Sequence, residues 1–312
     1  MLKRLAIISL LGVSLAGAQE TSCRLRDGAS PAASVAYVLC EPSTVLATTD
    51  GGATWAARDT GTKGRLRAIS FPDVNRGFVA GVGGLLLATE DGGKTWQARQ
   101  SGTTESLTDI EFVGQSGWVA GYTGVLLHSG DGGRTWERQI TGTAQSLESI
   151  FFLDAERGWA VGWAGTILRT ANGGRTWEQI KTAAASWSLS SVYFRDAYNG
   201  WAVGFAGQIL RSKDGGATWE AQTSPVRGWL TCVLFDGSNR GWITVDDGFL
   251  VSEDGGETWR SVHVDNRAFL SKLVRVKDSL WALGPFQGLK QADAKVAWQK
   301  IEKLVPSVPP RS

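Results

Sequence analysis

The stretch Thr48-Thr49-Asp50-Gly51-Gly52-Ala53-Thr54-Trp55 decides the fold, because copies of it recur along the chain. A tryptophan closes each copy, at intervals of 41, 40, 41, 42, 40 and 39 residues: Trp55, Trp96, Trp136, Trp177, Trp219, Trp259 and Trp298. A period near 40 residues indicates a repeat architecture. We therefore expect one closed repeat domain, although a length of 312 residues would ordinarily suggest two domains.

The repeat at residues 143–183 shows what one unit contains. Three short apolar runs, at 147–152, 158–162 and 166–170, are separated by turns, and a fourth run at 176–180 follows Asn172-Gly173-Gly174. Runs of about five residues bounded by Gly or Asp are typical of β-strands. Radially arranged four-stranded units form a propeller. The predicted fold class is all-β, a seven-bladed β-propeller of four-stranded antiparallel blades.

The repeat frame also predicts the boundaries of the domain. Residues 19–304 form the propeller, and residues 305–312, which are rich in proline, form an extended tail. The seven predicted blades are residues 21–60, 61–101, 102–142, 143–183, 184–224, 225–264 and 265–304.

The acidic residue of each copy has a structural explanation. An aspartate at a turn accepts hydrogen bonds from the backbone amides ahead of it, and the two glycines supply positive φ angles. Asparagine accepts the same bonds, and the following tryptophan is expected to bond a carbonyl through its indole N–H. The predicted structural positions are Asp50, Asp91, Asp131, Asn172, Asp214, Asp254 and Asp293.

Residues 1–18 have the pattern of a signal peptide. Lys3 and Arg4 precede an apolar run from Leu5 to Leu15, and Ala16-Gly17-Ala18 forms a small-residue cleavage site. We expect an exported protein, located in a periplasm, in a thylakoid lumen or outside the cell. Without this segment the 30 acidic residues are balanced by 30 basic ones, which removes the electrostatic basis for nucleic-acid binding.

Three cysteines, Cys23, Cys40 and Cys232, cannot all pair within one chain. Export to an oxidising compartment permits one disulfide, for which Cys23 and Cys40 are the candidate pair. Cys232 is interpreted as a buried apolar residue.

The repeated phrase is the Asp-box, which also occurs in sialidases and some xyloglucanases. Combined with Gly-Trp-Ala-Val-Gly at 158–162 and 200–204, and with Gly-x-Ile-Leu at 165–168 and 207–210, it resembles the photosystem II stability/assembly factor family of seven-bladed propellers. That resemblance covers residues 36 to about 302. It implies a chaperone-like scaffold for a subunit of a membrane complex, with an arginine-rich patch on one face and with no catalytic centre or cofactor.

One face of such a propeller carries the loops between the second and third strands and those between blades. Aromatic and arginine side chains are enriched at interface hot spots, and the loops of this face hold several. The predicted partner-binding residues are Tyr122, Trp163, Phe205, Phe286, Arg65, Arg227, Trp229 and Arg267, with Trp187 beside them. The alternative is that these aromatics fold inward and plug the channel. We expect a monomer, compatible with peripheral membrane association.

A carbohydrate-active or carbohydrate-binding propeller is the alternative function. A sialidase needs an arginine triad and a tyrosine nucleophile paired with glutamate, and the sequence lacks the expected Arg-Ile/Leu-Pro signature. Asp246-Asp247 is an adjacent carboxylate pair in a loop, interpreted as solvated. His128 and His263 lie in different repeats and no Cys/His ligand spacing occurs, so no metal site or cofactor is predicted.

Overall fold

The computed structural model describes residues 24–236, 239–246, 248–264, 269–276, 279–284, 287–291 and 299–300. Its regular structure consists of β-strands and four single 3₁₀ turns. The strands of the first four units are Arg24–Ala32 (β1), Val35–Glu41 (β2), Thr44–Thr48 (β3), Ala56–Asp59 (β4), Leu66–Ser70 (β5), Gly77–Gly81 (β6), Leu86–Thr89 (β7), Gln97–Ala98 (β8), Leu107–Val113 (β9), Ser116–Gly121 (β10), Leu126–Ser129 (β11), Glu137–Arg138 (β12), Leu147–Phe152 (β13), Gly158–Gly162 (β14), Ile167–Thr170 (β15) and Glu178–Gln179 (β16).

The strands of the remaining units are Leu189–Phe194 (β17), Gly200–Gly204 (β18), Ile209–Ser212 (β19), Glu220–Gln222 (β20), Leu230–Phe235 (β21), Gly241–Val245 (β22), Gly248–Ser252 (β23), Arg260–His263 (β24), Lys272–Val276 (β25), Ser279–Gly284 (β26), Gln287–Gln291 (β27) and Gln299–Lys300 (β28). The 3₁₀ turns are Val82–Gly84, Tyr122–Gly124, Trp163–Gly165 and Phe205–Gly207.

Consecutive strands pair antiparallel into seven four-stranded sheets, which are blades 1 to 7 in chain order. The propeller class predicted from the repeat is therefore confirmed. The first strand of each blade packs against the first strands of its neighbours, so β1, β5, β9, β13, β17, β21 and β25 surround the central axis. The outermost strand has only two residues in blades 2, 3 and 4. Short edge strands offer little backbone for pairing with another chain.

Seven clusters of buried side chains hold the blades together, one between each pair of neighbours. The cluster between blades 1 and 7 includes Leu25, Trp55, Val274 and Trp281, with the two indole rings 5.4 Å apart. Blades 1 and 7 each contain strands from one repeat alone. Among the described residues, side-chain packing thus closes the ring, and no strand is exchanged between the chain ends.

Aromatic side chains repeat at the blade interfaces. Trp159 of β14 stacks on Phe194 of β17 with ring centroids 3.5 Å apart, and its indole N–H donates to the carbonyl of Gly215 at 3.0 Å. Trp118 and Trp201 make the same contacts to the blades that follow them. These three tryptophans therefore bind their own blades to the blades that follow.

The Asp-Gly-Gly turns have the predicted hydrogen bonds. Asp91 Oδ1 accepts from the Thr95 amide at 2.9 Å, and its Oδ2 accepts from the Thr95 hydroxyl at 2.7 Å. Asn172 accepts from the Thr176 amide, but its Nδ2 donates to the Thr176 hydroxyl, so one bond is reversed. Both glycines of every described turn have φ between 70° and 90°. Asp293 lies outside the described residues.

The tryptophans that follow these turns differ in their polar partners. Trp96, Trp136 and Trp219 donate to a glycine carbonyl of their own turn, as predicted. Trp177 and Trp259 donate instead to glutamine side chains of the preceding blade, Gln139 and Gln222. The Trp55 indole N–H has no hydrogen-bond partner among the described residues. The carbonyl prediction is thus confirmed for five rings, of which Trp177 and Trp259 use the side-chain amide carbonyl of a neighbouring blade.

Candidate functional site

The loops leave the ring on two different faces. The turn face carries the Asp-Gly-Gly turns and the loops between first and second strands, and the amide of Gly92 donates there to Asn75. The mouth face carries the four 3₁₀ turns and the loops between blades. On it, the amides of Val82, Tyr122, Trp163 and Phe205 donate to carbonyls of the neighbouring inter-blade loops.

A strained residue shapes three of the mouth-face turns. Thr123, Ala164 and Ala206 have φ of 53°, 51° and 57°. Non-glycine residues adopt this conformation at a cost of roughly 1–3 kcal/mol, and such strain clusters at functional sites. Because the strained residue reverses the chain, the aromatic residue before it lies at the rim.

The rim aromatics are exposed and do not fold inward. Trp163, Trp187, Phe205 and Trp229 keep 49%, 51%, 50% and 52% of their surface accessible, whereas Tyr122 is half-buried. The rings of Trp187 and Phe205 lie 5.7 Å apart, and those of Tyr122 and Trp163 lie 6.2 Å apart. They form a row along blades 3 to 6, and the alternative of a plugged channel is not what the structure shows for them.

Polar contacts hold several of these rings in place. The Trp163 indole N–H donates to Glu148 Oε1 at 2.6 Å, and that of Trp229 donates to Ser190 Oγ at 2.6 Å. Arg67 donates to the Tyr122 hydroxyl at 3.0 Å and lies over that ring. An exposed ring that is already fixed loses little conformational freedom when it binds a partner.

Two of the three predicted arginines are described, and both are exposed. Arg65 lies 3.7 Å from Glu41, which also faces Arg26 at 3.8 Å. Arg227 makes no ion pair with any described residue and sits two residues before Trp229. Arg267 and Phe286 lie outside the described residues.

A cavity of about 490 Å³ opens on the mouth face at the central axis. Arg24, Arg26 and Arg67 line its wall on the side of blades 1 and 2, together with Arg65. Trp229, Phe269 and Leu270 line the side of blades 6 and 7. The predicted residues Arg65 and Trp229 thus come together at one cavity, whereas Tyr122, Trp163 and Phe205 stand on the rim outside its lining.

Sequence reasoning missed the inner-strand residues of the cavity. Arg67, Thr108, Glu148, Ser190 and Thr231 line it, and each follows the leucine of its first strand. The signal was the first variable position of the pattern Leu-x-x-Ile/Val-x-Phe. The sequence by itself predicts only a strand residue at that position.

Charged residues form the floor of the cavity. Lys272 Nζ lies 3.1 Å from Asp27 Oδ1, which joins blade 7 to blade 1, and Asp27 Oδ2 accepts the Ile69 amide of blade 2 at 2.9 Å. Burial alone would lower the pKa of Lys272, but the carboxylates of Asp27 and Asp109 outweigh it and hold that pKa above its usual value. Asp27 and Lys272, whose side chain is about one-third exposed, therefore connect three consecutive blades.

Two further carboxyl groups of β9 contact the first strand of the next blade, and Asp109 also lines the cavity. Asp109 accepts the amide of Ile150, and Glu111 accepts the amide of Phe152, both from β13. Burial, reinforced by the charge of Asp109, raises the pKa of Glu111 to about 8. Burial also raises the pKa of Asp109, although Lys272 opposes the shift.

The remaining candidate residues from the sequence are the Asp246-Asp247 pair and the two histidines. Asp246 lines the cavity, and Asp247 lies outside the described residues. His128 is in β11 and His263 ends β24. In the described part of the chain, no group of three or more His, Cys, Asp or Glu residues could hold a metal ion. No helix there is long and apolar enough to cross a bilayer.

The described cysteines are in two different states. Cys40 is disulfide-bonded, whereas Cys232 is free and buried, as predicted. Cys23 lies outside the described residues, so the pairing of Cys23 with Cys40 stays a prediction.

Similar folds occur among solved structures. A structure of YCF48 bound to D1 peptide is 21% identical and covers 88% of this chain and 93% of its own, with a TM-score of 0.73. YCF48 from Cyanidioschyzon merolae is 22% identical, covers 82% and 91%, and has a TM-score of 0.65. An ancestral GH74 enzyme is 14% identical and covers 90% of this chain but 46% of its own, with a TM-score of 0.70. At these identities the likeness establishes the propeller fold.

The family comparison is more specific. No curated protein sequence matched the chain. The family model described as photosynthesis system II assembly factor YCF48 matches residues 59–143 and 184–271, which is more than half of the chain. These segments span blades 2 and 3 and blades 5 and 6, including the loops that present Tyr122, Phe205 and Trp229. The chain therefore belongs to the family of the photosynthesis system II assembly factor YCF48.

Proposed function

We propose that this protein is an exported, non-catalytic scaffold that binds a segment of a membrane-complex subunit and assists the assembly or stability of that complex. The observation that carries the proposal is the mouth face, where fixed, exposed aromatic rings and arginines surround an open cavity. Membership of an assembly-factor family supports it.

The dimensions of the mouth fit a protein segment. A cavity of about 490 Å³ lies within the range of about 300–1,000 Å³ typical of ligand sites. The row of half-exposed rings extends the contact surface beyond it. Aromatic and arginine anchors that exclude water supply most of the binding energy at interfaces. The related YCF48 structure is bound to a D1 peptide, which supports an extended segment as the occupant.

Separate features support the proposed export of the protein and its proposed monomeric state. A signal-like segment at residues 1–18 and a disulfide at Cys40 support export. The seven clusters between the blades use the apolar faces of the sheets within one ring. We therefore propose a monomer that meets its client at the outer side of a membrane.

Charge reversal on the mouth face tests the binding proposal. Arg65→Glu combined with Arg227→Glu should weaken the binding of a fluorescent D1 peptide at least tenfold, because both side chains are exposed beside the cavity. The matched control is Arg99→Glu with Arg138→Glu, which changes a half-buried and an exposed arginine at the outer edge of blades 2 and 3. Fluorescence anisotropy at two salt concentrations measures the affinity.

The two double variants should unfold at the same temperature as the wild-type protein. Equal peptide binding by the mouth variant and the wild type would contradict the proposed binding face. Absence of binding by all three proteins would contradict the peptide-binding function itself.

A carbohydrate-active propeller remains the second candidate, favoured by the carboxyl groups of Asp109 and Glu148 in the cavity and by the fold shared with a GH74 enzyme. A reducing-end assay with xyloglucan distinguishes the two. We expect no hydrolysis. Hydrolysis by the wild type that is abolished in Asp109→Asn would establish the enzyme instead.

A further inference from the structure

The first strands of blades 2 to 6 share a β-bulge at one equivalent position. In blade 4, Leu147 pairs with Gly162 and Ser149 pairs with Val161, so Glu148 is an extra residue with no partner opposite it. The same shift occurs in the other four blades. The five bulge residues are Arg67, Thr108, Glu148, Ser190 and Thr231.

All five bulge residues line the cavity of the mouth face. A bulge inserts one residue into the ladder and re-aims its side chain. The leucine before each bulge stays in a blade interface, since Leu66, Leu107, Leu147, Leu189 and Leu230 are at most 1% exposed. The bulge thus separates a constant core position from a position that faces the mouth.

The chemistry of the bulge residues differs from blade to blade while their backbone setting is the same. Blade 2 presents a guanidinium, blade 4 a carboxylate, and blades 3, 5 and 6 present hydroxyl groups. The hydroxyls of Thr108 and Thr231 donate to carbonyls of the following blade, and Ser190 accepts from Trp229. Arg67 is engaged with Tyr122.

Glu148 is the only carboxylate among the five bulge residues, and part of its hydrogen-bonding capacity is unused. Its Oε1 accepts the Trp163 indole N–H, whereas its Oε2 accepts no hydrogen bond from any described residue. Burial raises the pKa of this carboxyl group, although Trp163 and the more distant charges of Arg67 and Arg26 oppose the shift. A partly desolvated carboxylate gains most from a donor that carries positive charge.

We infer that the five bulge residues are the positions at which the mouth discriminates among bound segments, and that Glu148 selects a lysine or arginine side chain of the segment. This inference rests on the proposed peptide-binding function. It adds the requirement that the bound segment place a cationic side chain against Glu148 of blade 4. The wall of blade 4 is thus opposite in charge to the arginine wall of blades 1 and 2.

An array of octapeptides tests this selection. In a background of alanine and serine, each position in turn carries lysine, its uncharged analogue norleucine, or glutamate. The wild-type protein should prefer lysine over norleucine at one position by about three- to tenfold, the range of a partly desolvated charge pair. Glu148→Gln should remove that preference, and Glu148→Lys should transfer it to glutamate at the same position.

Glu148→Gln keeps an amide oxygen that can accept the Trp163 N–H, so the loop should keep its conformation. The matched control is Glu178→Gln in the outermost strand of the same blade, and it should leave every preference unchanged. Peptide binding with no preference for lysine, or with a preference that persists in Glu148→Gln, would overturn this inference while leaving the proposed function intact. No binding of any peptide would overturn both.

Discussion

The turn face and the mouth face are ends of the same sheets, yet they differ in what repeats. On the turn face, a hydrogen bond from a threonine amide to an aspartate or asparagine side chain recurs in all six described turns. On the mouth face, the same loop position presents valine, tyrosine, tryptophan and phenylalanine in turn. Chemistry that recurs in the described turns stabilises the individual blades, whereas chemistry that changes from blade to blade can distinguish a partner.

Two tryptophans four residues apart provide the largest expected contrast. Trp159 is buried, stacked on Phe194 and bonded to the turn of the next blade, so Trp159→Ala should lower the free energy of unfolding by about 3–5 kcal/mol. Trp163→Ala, at the mouth, should cost less than about 1 kcal/mol because half of that ring is exposed. Urea denaturation measures both. Similar losses in the two variants would contradict the division between the faces.

Two glycines, one on each face, test whether the backbone is more constrained on the turn face than on the mouth face. Gly216 has φ of 84° and a Cβ there would overlap the Trp159 indole, so Gly216→Ala should cost about 2–4 kcal/mol. Gly83, at a mouth tip, has φ of 72° but open space around it, and alanine or threonine occupies this place in other blades. Gly83→Ala should therefore cost only the backbone strain of a non-glycine residue, about 1–2 kcal/mol. A larger loss for Gly83→Ala in thermal unfolding would show that mouth loops are as constrained as turns.

Glu111 lies between the two faces, where its carboxyl group accepts the Phe152 amide of the next blade. Its pKa of about 8 means that the folded protein holds a proton which the unfolded chain releases, so stability falls as the pH rises from about 4.5 to about 8. Glu111→Gln removes this cost while keeping an acceptor for the Phe152 amide. Relative to wild type, it should gain on the order of 1–2 kcal/mol between pH 5 and pH 8. A constant difference across this range would place Glu111 in contact with water.

A turn aspartate offers the smallest effect and tests whether charge matters on the turn face. Asp91→Ala should cost about 1 kcal/mol at neutral pH through lost hydrogen bonds, whereas Asp91→Asn should cost less, as Asn172 fills the same role in blade 4. Hydrogen bonds from Thr95 lower the pKa of Asp91 to about 2. Its contribution is present above pH 4 and is lost as the pH falls toward 2. Thermal unfolding from pH 7 to pH 2 should show a smaller acid loss in Asp91→Asn than in wild type.

The features that the sequence predicts lie mainly on the turn face and in the strands, whereas those that it does not predict lie mainly at the mouth face. The paired glycines, the aspartates and the recurrent tryptophans predicted strands, turns and blades, because turn chemistry and alternation act over a few residues. The exposure of Trp163 and Trp229 depends on Glu148 and Ser190, which lie 15 and 39 residues away in the chain. No local pattern predicts such a contact. The Lys272–Asp27 ion pair joins the two ends of the ring and was equally invisible.

By itself, the sequence determined the repeat, the strand pattern, the chemistry of the turns and membership of the YCF48 family, since each rests on residues close together in the chain. Only the tertiary structure decided how blade 7 meets blade 1, which carboxyl groups face the axis, and that the variable residue after each first-strand leucine turns into the mouth. A bulge depends on how two strands pair, and whether its extra side chain faces the mouth depends on how the blades are arranged around the axis.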